Sequence, residues 1–134
     1  MNNKERTLAR ENIVKILYQK DISKDDLSSI IGTFVEKRKF DNRYFDDLIK
    51  LLDINLDEID NYIIKNSNLS ELESTIIDKS ILRLSVCEFL YRKDIPKKVI
   101  LDESIKIAKK YSSEKSFKFI NKILDQLLLC NHDN

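Results

Sequence analysis

The side chains best placed to do chemistry in this chain are cations and aromatics at helical spacing near its two ends. Projected at about 100° per residue, Lys115, Lys118 and Lys122 share one helix face, opposite an apolar stripe of Ile120, Leu124 and Leu127. Phe119 sits beside those lysines, off the centre of the stripe. Lysines track phosphates and an accessible ring stacks on an unpaired base, so the group suits single-stranded nucleic acid. The plainer alternative is that Phe119 closes the edge of a core and the lysines are merely solvated. Near the other end, Arg6 and Arg10 lie one turn apart with Lys4 just upstream. That spacing suits phosphate contacts, and equally a solvated helix end. Tyr18 is expected to pack rather than stack. Arg83 projects among Ile76, Cys87 and Leu90; a charge there must be paired, so an ion pair with an acid of a neighbouring helix is expected.

The chemistry that is missing narrows the function further. The one histidine, His132, stands two residues from the end, where chains fray, so acid–base catalysis lacks its usual proton carrier. Cys130 and His132 offer two ligands where a structural zinc site takes four. With a single glycine, Gly32, neither a P-loop nor a dinucleotide-binding fingerprint can be written. The many carboxylates read as caps and solvated faces. The expectation is a non-enzymatic protein with no cofactor, no metal and no small-molecule substrate. Cys87 and Cys130 form neither a CxxC pair nor a disulfide framework, which fits free thiols in a reducing cytosol. The N-terminus is charged and polar, and no apolar run approaches membrane-spanning length. A soluble, cytoplasmic protein without membrane contact is expected.

The elements that must position these groups are helices. One glycine and one proline (Pro96) in 134 residues leave almost nothing for hairpin turns, so the fold class is all-α. The length suits one compact domain over residues 1–134, its tail frayed from about residue 130. Apolar spacing predicts a first helix through Ala9, Ile13, Ile16 and Leu17. A second follows a capping box at Ser23 and Asp26 and runs through Leu27, Ile30, Ile31, Phe34 and Val35. Tyr44, Phe45, Leu48, Ile49 and Leu52 mark a third; a cap at Asn55 with Glu58 opens a fourth through Leu56, Ile59 and Ile63. Ser70-x-x-Glu73 opens a longer helix from about Leu72 to Arg92, apolar nearly all round and therefore central. Asp94-Ile95-Pro96 ends it. Another runs from about Asp102 to Tyr111, with Ile105 and Ala108 inward. The Ser112-Ser113 turn feeds the last, packed through Phe117, Ile120, Leu124, Leu127 and Leu128. That makes about seven helices. Net charge is +1, yet both ends are basic while the stretch from Asp41 to Asp78 is acidic. Such asymmetry suggests two faces with different partners, or simply solvated helices.

Several strings resemble one family in order and spacing. Arg6-Thr7-Leu8-Ala9-Arg10-Glu11, followed by Leu17-Tyr18-Gln19, resembles the arginine-rich opening of NusB (N-utilisation substance B) proteins. The run from Ile81 through Arg83 and Glu88 to Leu90 is similar to their central helix. Ile95-Pro96-x-x-Val99, then Asp102-Glu103-Ser104-Ile105 and Ala108-Lys109, resembles their "IP…V…NE…AK" stretch. Ser116-x-Lys118-Phe119-Ile120-Asn121 resembles their "S.KFVNG" signature. The resemblance implies an all-helical fold of two small helical subdomains. It further implies binding of boxA, a short single-stranded leader RNA element, with the ribosomal protein NusE in transcription elongation complexes that promote ribosomal RNA synthesis. On that reading Arg6, Arg10, Lys118 and Phe119, with Tyr18 and Arg83, form the RNA surface, to which the spacing of the basic residues adds Lys4, Lys115 and Lys122. Asp78 and Glu88, with the acidic middle of the chain, would face the basic protein partner. Two departures stand out: Thr7 and Leu8 occupy positions where the family commonly has arginines, and Lys122 replaces the glycine after Asn121. Two alternatives remain, a helical protein-interaction module that has lost specific RNA binding, and the RNA-binding part of a ribosomal RNA methyltransferase.

Overall fold

In the computed structural model, which describes residues 3–34, 42–67 and 75–129, the described chain forms six α-helices and no strand. They are α1 (Asn3–Ser23), α2 (Leu27–Phe34), α3 (Asn42–Lys65), α4 (Ile76–Tyr91), α5 (Lys97–Tyr111) and α6 (Glu114–Leu129). The apolar spacing explains each inward face. In α1, Ala9, Ile13, Ile16 and Leu17 are all fully buried. In α6, Ile120, Leu124, Leu127 and Leu128 are buried, with Ile123 beside them. The central position expected for the helix at 76–91 is what the structure shows: α4 packs against α1, α3, α5 and α6, and every residue from Ser80 to Phe89 is buried. A helix enclosed on four sides cannot be amphipathic, which is why its apolar residues went round the wheel.

Four local expectations change. The third and fourth expected helices run on as one element, α3, yet the break expected at Asn55 is there, as a kink with non-helical backbone (φ −113°, ψ 17°). Asn55 does not cap a new helix; its side-chain amide donates to the Leu51 carbonyl at 2.9 Å, which frees that region of the ladder to bend. Asp26 caps α2 by accepting from the Ser29 amide at 2.9 Å, while Ser23 is the last residue of α1 and accepts from the Asp25 amide. Thr75 is the N-cap of α4, accepting from the Asp78 amide; the Ser70–Glu73 cap lies outside the described residues, as do Val35, Cys130 and His132. Finally, α5 begins five residues earlier than expected, at Lys97. Pro96 stands at its N-cap (φ −64°), where a missing N–H costs nothing because the first turn has no acceptor for it. Its inward residues are Ile100, Ser104, Ile107 and Ala108, with Ile105 half-buried.

Candidate nucleic-acid interface

Helix α1 sorts the basic residues of the N-terminal segment onto two sides. Arg6 and Arg10 lie within roughly 40° of each other, while Lys4, Glu11, Lys15 and Tyr18 cluster roughly opposite. Near the start of the helix Lys4 shares a groove with Arg6 and Arg10 against α5, and further along Glu11 and Lys15 meet the other end of α5.

Arg10 goes inward. It is 3% exposed, its Nε donates to Glu88 Oε2 at 2.8 Å and its Nη2 to the Tyr44 hydroxyl at 2.8 Å. Its Nη1 lies 3.3 Å from Glu103 Oε1, which also accepts from the Thr7 hydroxyl at 2.7 Å. The Tyr44 hydroxyl donates to Glu88 as well. Burial pushes the Glu88 carboxyl up, against the pull of Arg10 and Tyr44. Burial opposes the Arg10 charge too, but the surrounding Glu88, Tyr44 and Glu103 hold its pKa above the usual arginine value. Arg10 therefore ties α1 to α3, α4 and α5 and does not lie on the surface with Lys4. Arg83 is likewise interior, 5% exposed. Its Nε and Nη2 grip Asp60, each at 2.8 Å, and its Nη1 meets Asp21 at 3.1 Å. That is the ion pair its projection called for. The two acids expected to face a protein partner are also interior. Asp78 is 2% exposed and accepts from the Ser112 hydroxyl; Glu88 is 1% exposed. An acid enclosed in this way offers no charge to a docking surface.

The other side of α1 stays at the surface and meets the end of α5. The Lys15 ammonium is 5.3 Å from the Tyr111 ring centroid, and Lys110 approaches the same ring at 5.5 Å. Lys110 also pairs with Glu11 Oε1 at 3.0 Å, an acceptor shared with the Tyr111 hydroxyl, and the Glu11 carboxylate raises the Lys110 pKa. One residue back, Lys109 lies 5.1 Å from the Phe117 ring on α6. The Ser112–Ser113 turn sets that distance: the Ser112 amide donates to the Ala108 carbonyl, and Ser113 Oγ receives the Ser116 amide. Cations over ring faces are held by the ring quadrupole while their remaining N–H groups stay available. Beyond this contact, Lys115, Lys118 and Lys122 are exposed on α6, with Lys118 3.8 Å from Glu114. Phe119 is half-buried and packs against the core, so it is an edge residue with part of its ring showing. Tyr18, expected to pack, is 42% exposed. Lys4 is exposed and lines a groove of about 630 Å³ between α1 and α5.

Of the sequence-derived set, Lys4, Tyr18, Lys115, Lys118, Phe119 and Lys122 are thus at the surface, Arg6 is half-buried with its guanidinium 4.4 Å from the Tyr44 ring centroid, and Arg10 and Arg83 are interior. Sequence reasoning missed Lys15, Lys109, Lys110, Tyr111 and Phe117, which carry the contact from α1 to α6. Their signal was present as a Lys-Lys-Tyr run followed six residues later by phenylalanine, a basic stretch interleaved with aromatics. Among the described residues no group of three or more His, Cys, Asp or Glu is arranged to hold a metal ion. No described helix is long and apolar enough to cross a membrane.

Comparison with known proteins identifies a family and a fold. A family model described as the NusB family matches residues 7–128. The transcription antitermination protein NusB of Aliarcobacter butzleri (strain RM4018) is 35% identical over 129 residues, covering 92% of this chain and 96% of that protein. The protein of the same name from Psychromonas ingrahamii is 34% identical, covering 96% of this chain and 90% of its own length. Among solved structures, NusB of T. maritima superposes with a TM-score of 0.83 at 32% identity, covering 96% of this chain and 93% of that one. A crystal structure of antitermination factors NusB and NusE in complex with double-stranded RNA gives a TM-score of 0.86 at 25% identity, covering 97% and 100%.

Proposed function

This chain belongs to the NusB family, and from that premise we propose that it is a transcription antitermination factor that binds RNA together with a NusE-type ribosomal protein, without catalysis. The observation that carries the RNA half is the strip in which Lys15, Lys109 and Lys110 lie over Tyr111 and Phe117. It joins the outer face of α1 to the lysines of α6 and supplies a row of point charges for phosphates, with the half-buried Phe119 ring beside the α6 lysines as the aromatic surface for a base. The preferred RNA is a single-stranded boxA-type leader element, because stacking on rings requires bases released from a duplex. The biological consequence is support of ribosomal RNA transcription in the elongation complex.

The partner half falls to the outer face of α3 rather than to Asp78 and Glu88. Asp46 and Asp53 are exposed there and share one side of the helix at its spacing, with Asp57 exposed beyond the kink. A basic ribosomal protein meeting that face would be steered and oriented by charge. Holding RNA and protein at once then raises affinity by linkage.

Fluorescence anisotropy with a labelled boxA-like RNA tests the reading across a salt series, with and without NusE and against a scrambled RNA and a duplex. Binding to the single strand is expected to weaken steeply with salt and to tighten with NusE. Lys109→Glu and Lys118→Glu should each flatten the slope of log K against log salt by roughly 0.7. Unchanged affinity in both variants removes the strip from the RNA surface. Equal binding of scrambled RNA removes the boxA assignment.

A further inference from the structure

Where α1 meets α5 the lysine row contains an acid, and we infer that this acid, Glu11, masks the charge of Lys110 and thereby fixes where along the row an RNA strand can place its phosphates. The inference rests on the RNA reading given above. Glu11 is 7% exposed. Its Oε1 accepts from the Lys110 ammonium and from the Tyr111 hydroxyl, each at 3.0 Å. Both donors belong to the last turn of α5, so one carboxylate oxygen of α1 pins two neighbouring side chains.

The lysines of the row are not equivalent. Lys15 and Lys109 lie over the Tyr111 and Phe117 rings, and among the described residues neither has a carboxylate partner. The Lys110 side chain is 57% exposed, yet its charge is opposed 3.0 Å away by an acid that solvent scarcely reaches. A cation and an anion at that separation present a dipole to a phosphate, and the field of a dipole dies away faster than that of a lone charge. The Glu114–Lys118 pair on α6 is different. It spans 3.8 Å with both partners open to water, and such pairs hold little charge in place. Stability is a weak reason for enclosing the Glu11 carboxylate, because an enclosed ion pair returns little more than its desolvation costs. Its consequence for binding is plain: a phosphate gains from Lys15 and Lys109 and gains little from Lys110.

Phosphate contacts set the register of a strand without reading its bases. A strand whose phosphates meet Lys15 and Lys109 binds without loss, whereas one shifted to bring a phosphate over Lys110 gains less. The masked cation therefore narrows the registers open to any RNA. Scrambled RNA, which no base contact holds in one register, is disfavoured most.

Salt-series anisotropy on the full chain, with boxA-like and scrambled RNA, tests the inference. Glu11→Gln keeps the length of the side chain and an acceptor for the Tyr111 hydroxyl while removing the charge. It should steepen log K against log salt by roughly 0.7 and tighten scrambled RNA roughly several-fold, boxA-like RNA by less. Lys110→Gln should leave the slope of the parent nearly unchanged and flatten that of Glu11→Gln by roughly 0.7. A merely structural tie between α1 and α5 does not produce that difference between the two backgrounds. Tyr111→Phe, which removes only the hydroxyl bond, should keep the slope of the parent. An unchanged slope and an unchanged ratio of the two RNAs in folded Glu11→Gln overturn the inference. If Glu11→Gln does not fold, Lys110→Gln decides: a slope flattened by roughly 0.7 in the parent shows an unmasked Lys110 and overturns it, and a silent Lys110 beside a responsive Lys109 supports it. Lys109→Glu is also the control on the RNA reading. No effect of that variant removes the row itself, whereas an effect of Lys109→Glu without one of Glu11→Gln removes only the role of Glu11.

Discussion

Arg10 shows how a residue type can mislead when its neighbours along the helix are ignored. It stands three and seven residues before Ile13 and Leu17, and so shares their buried stripe. That position was legible from spacing, whereas its partners on α3, α4 and α5 were not, because Tyr44, Glu88 and Glu103 are distant in sequence. Arg83 was easier to read, since apolar residues surround it within its own helix. The consequence for stability is direct. Arg10→Met leaves Glu88 buried beside an uncompensated site and should cost about 3–5 kcal/mol in urea unfolding. Adding Glu88→Gln should recover part of that, whereas an unimproved double variant would show that Arg10 acts mainly through Glu103. The Cys87 thiol belongs to the same interior. Burial pushes its pKa up to about 12, so little thiolate exists at neutral pH, and alkylation should follow global unfolding and not precede it.

Helix ends carried the errors and now carry a prediction of their own. Lys24 follows α1 with φ 65°, and its amide donates to the Lys20 carbonyl at 2.9 Å, the left-handed position that usually falls to glycine. A lysine there bears roughly 1 kcal/mol of backbone cost, so Lys24→Gly should raise the unfolding midpoint in denaturant or leave it unchanged. A clear loss would mean that the lysine side chain contributes more than its backbone forfeits. Long periodic segments such as α1 and α6 were legible because core-facing residues repeat regularly. The break at Asn55 was legible too, but its bond back to Leu51 was not, since a side chain bonding back to its own helix and a side chain opening a new one use the same residue type. The early start of α5 was hidden for a similar reason: proline ends helices and begins them, and only the backbone on its far side distinguishes the two.

At the scale of the molecule, the chain divides its charge by position: lysines over rings where α1, α5 and α6 meet, arginines around Tyr44, and carboxylates along α3. The surface lysines could be anticipated, but which of them are joined was set by packing of α5 between the two ends of the chain. Acid should test the arginine side as a whole. Arg92 holds the Asp94 carboxyl below its ordinary value of 3.8, so the stability it confers is present above that value and is lost as pH falls through the lower folded value. Asp94→Asn should therefore lose less stability than the parent between about pH 5 and 3; an identical acid limb would place the loss elsewhere. Helix α4, enclosed by α1, α3, α5 and α6, makes a last consequence visible. Its amide hydrogens can exchange with deuterated water only when the surrounding helices part together, so they should exchange at the rate of global opening and be the slowest in the chain. A ligand seated on either flank would then slow the same amides, and one set of exchange rates at the centre would register occupancy at surfaces that never touch.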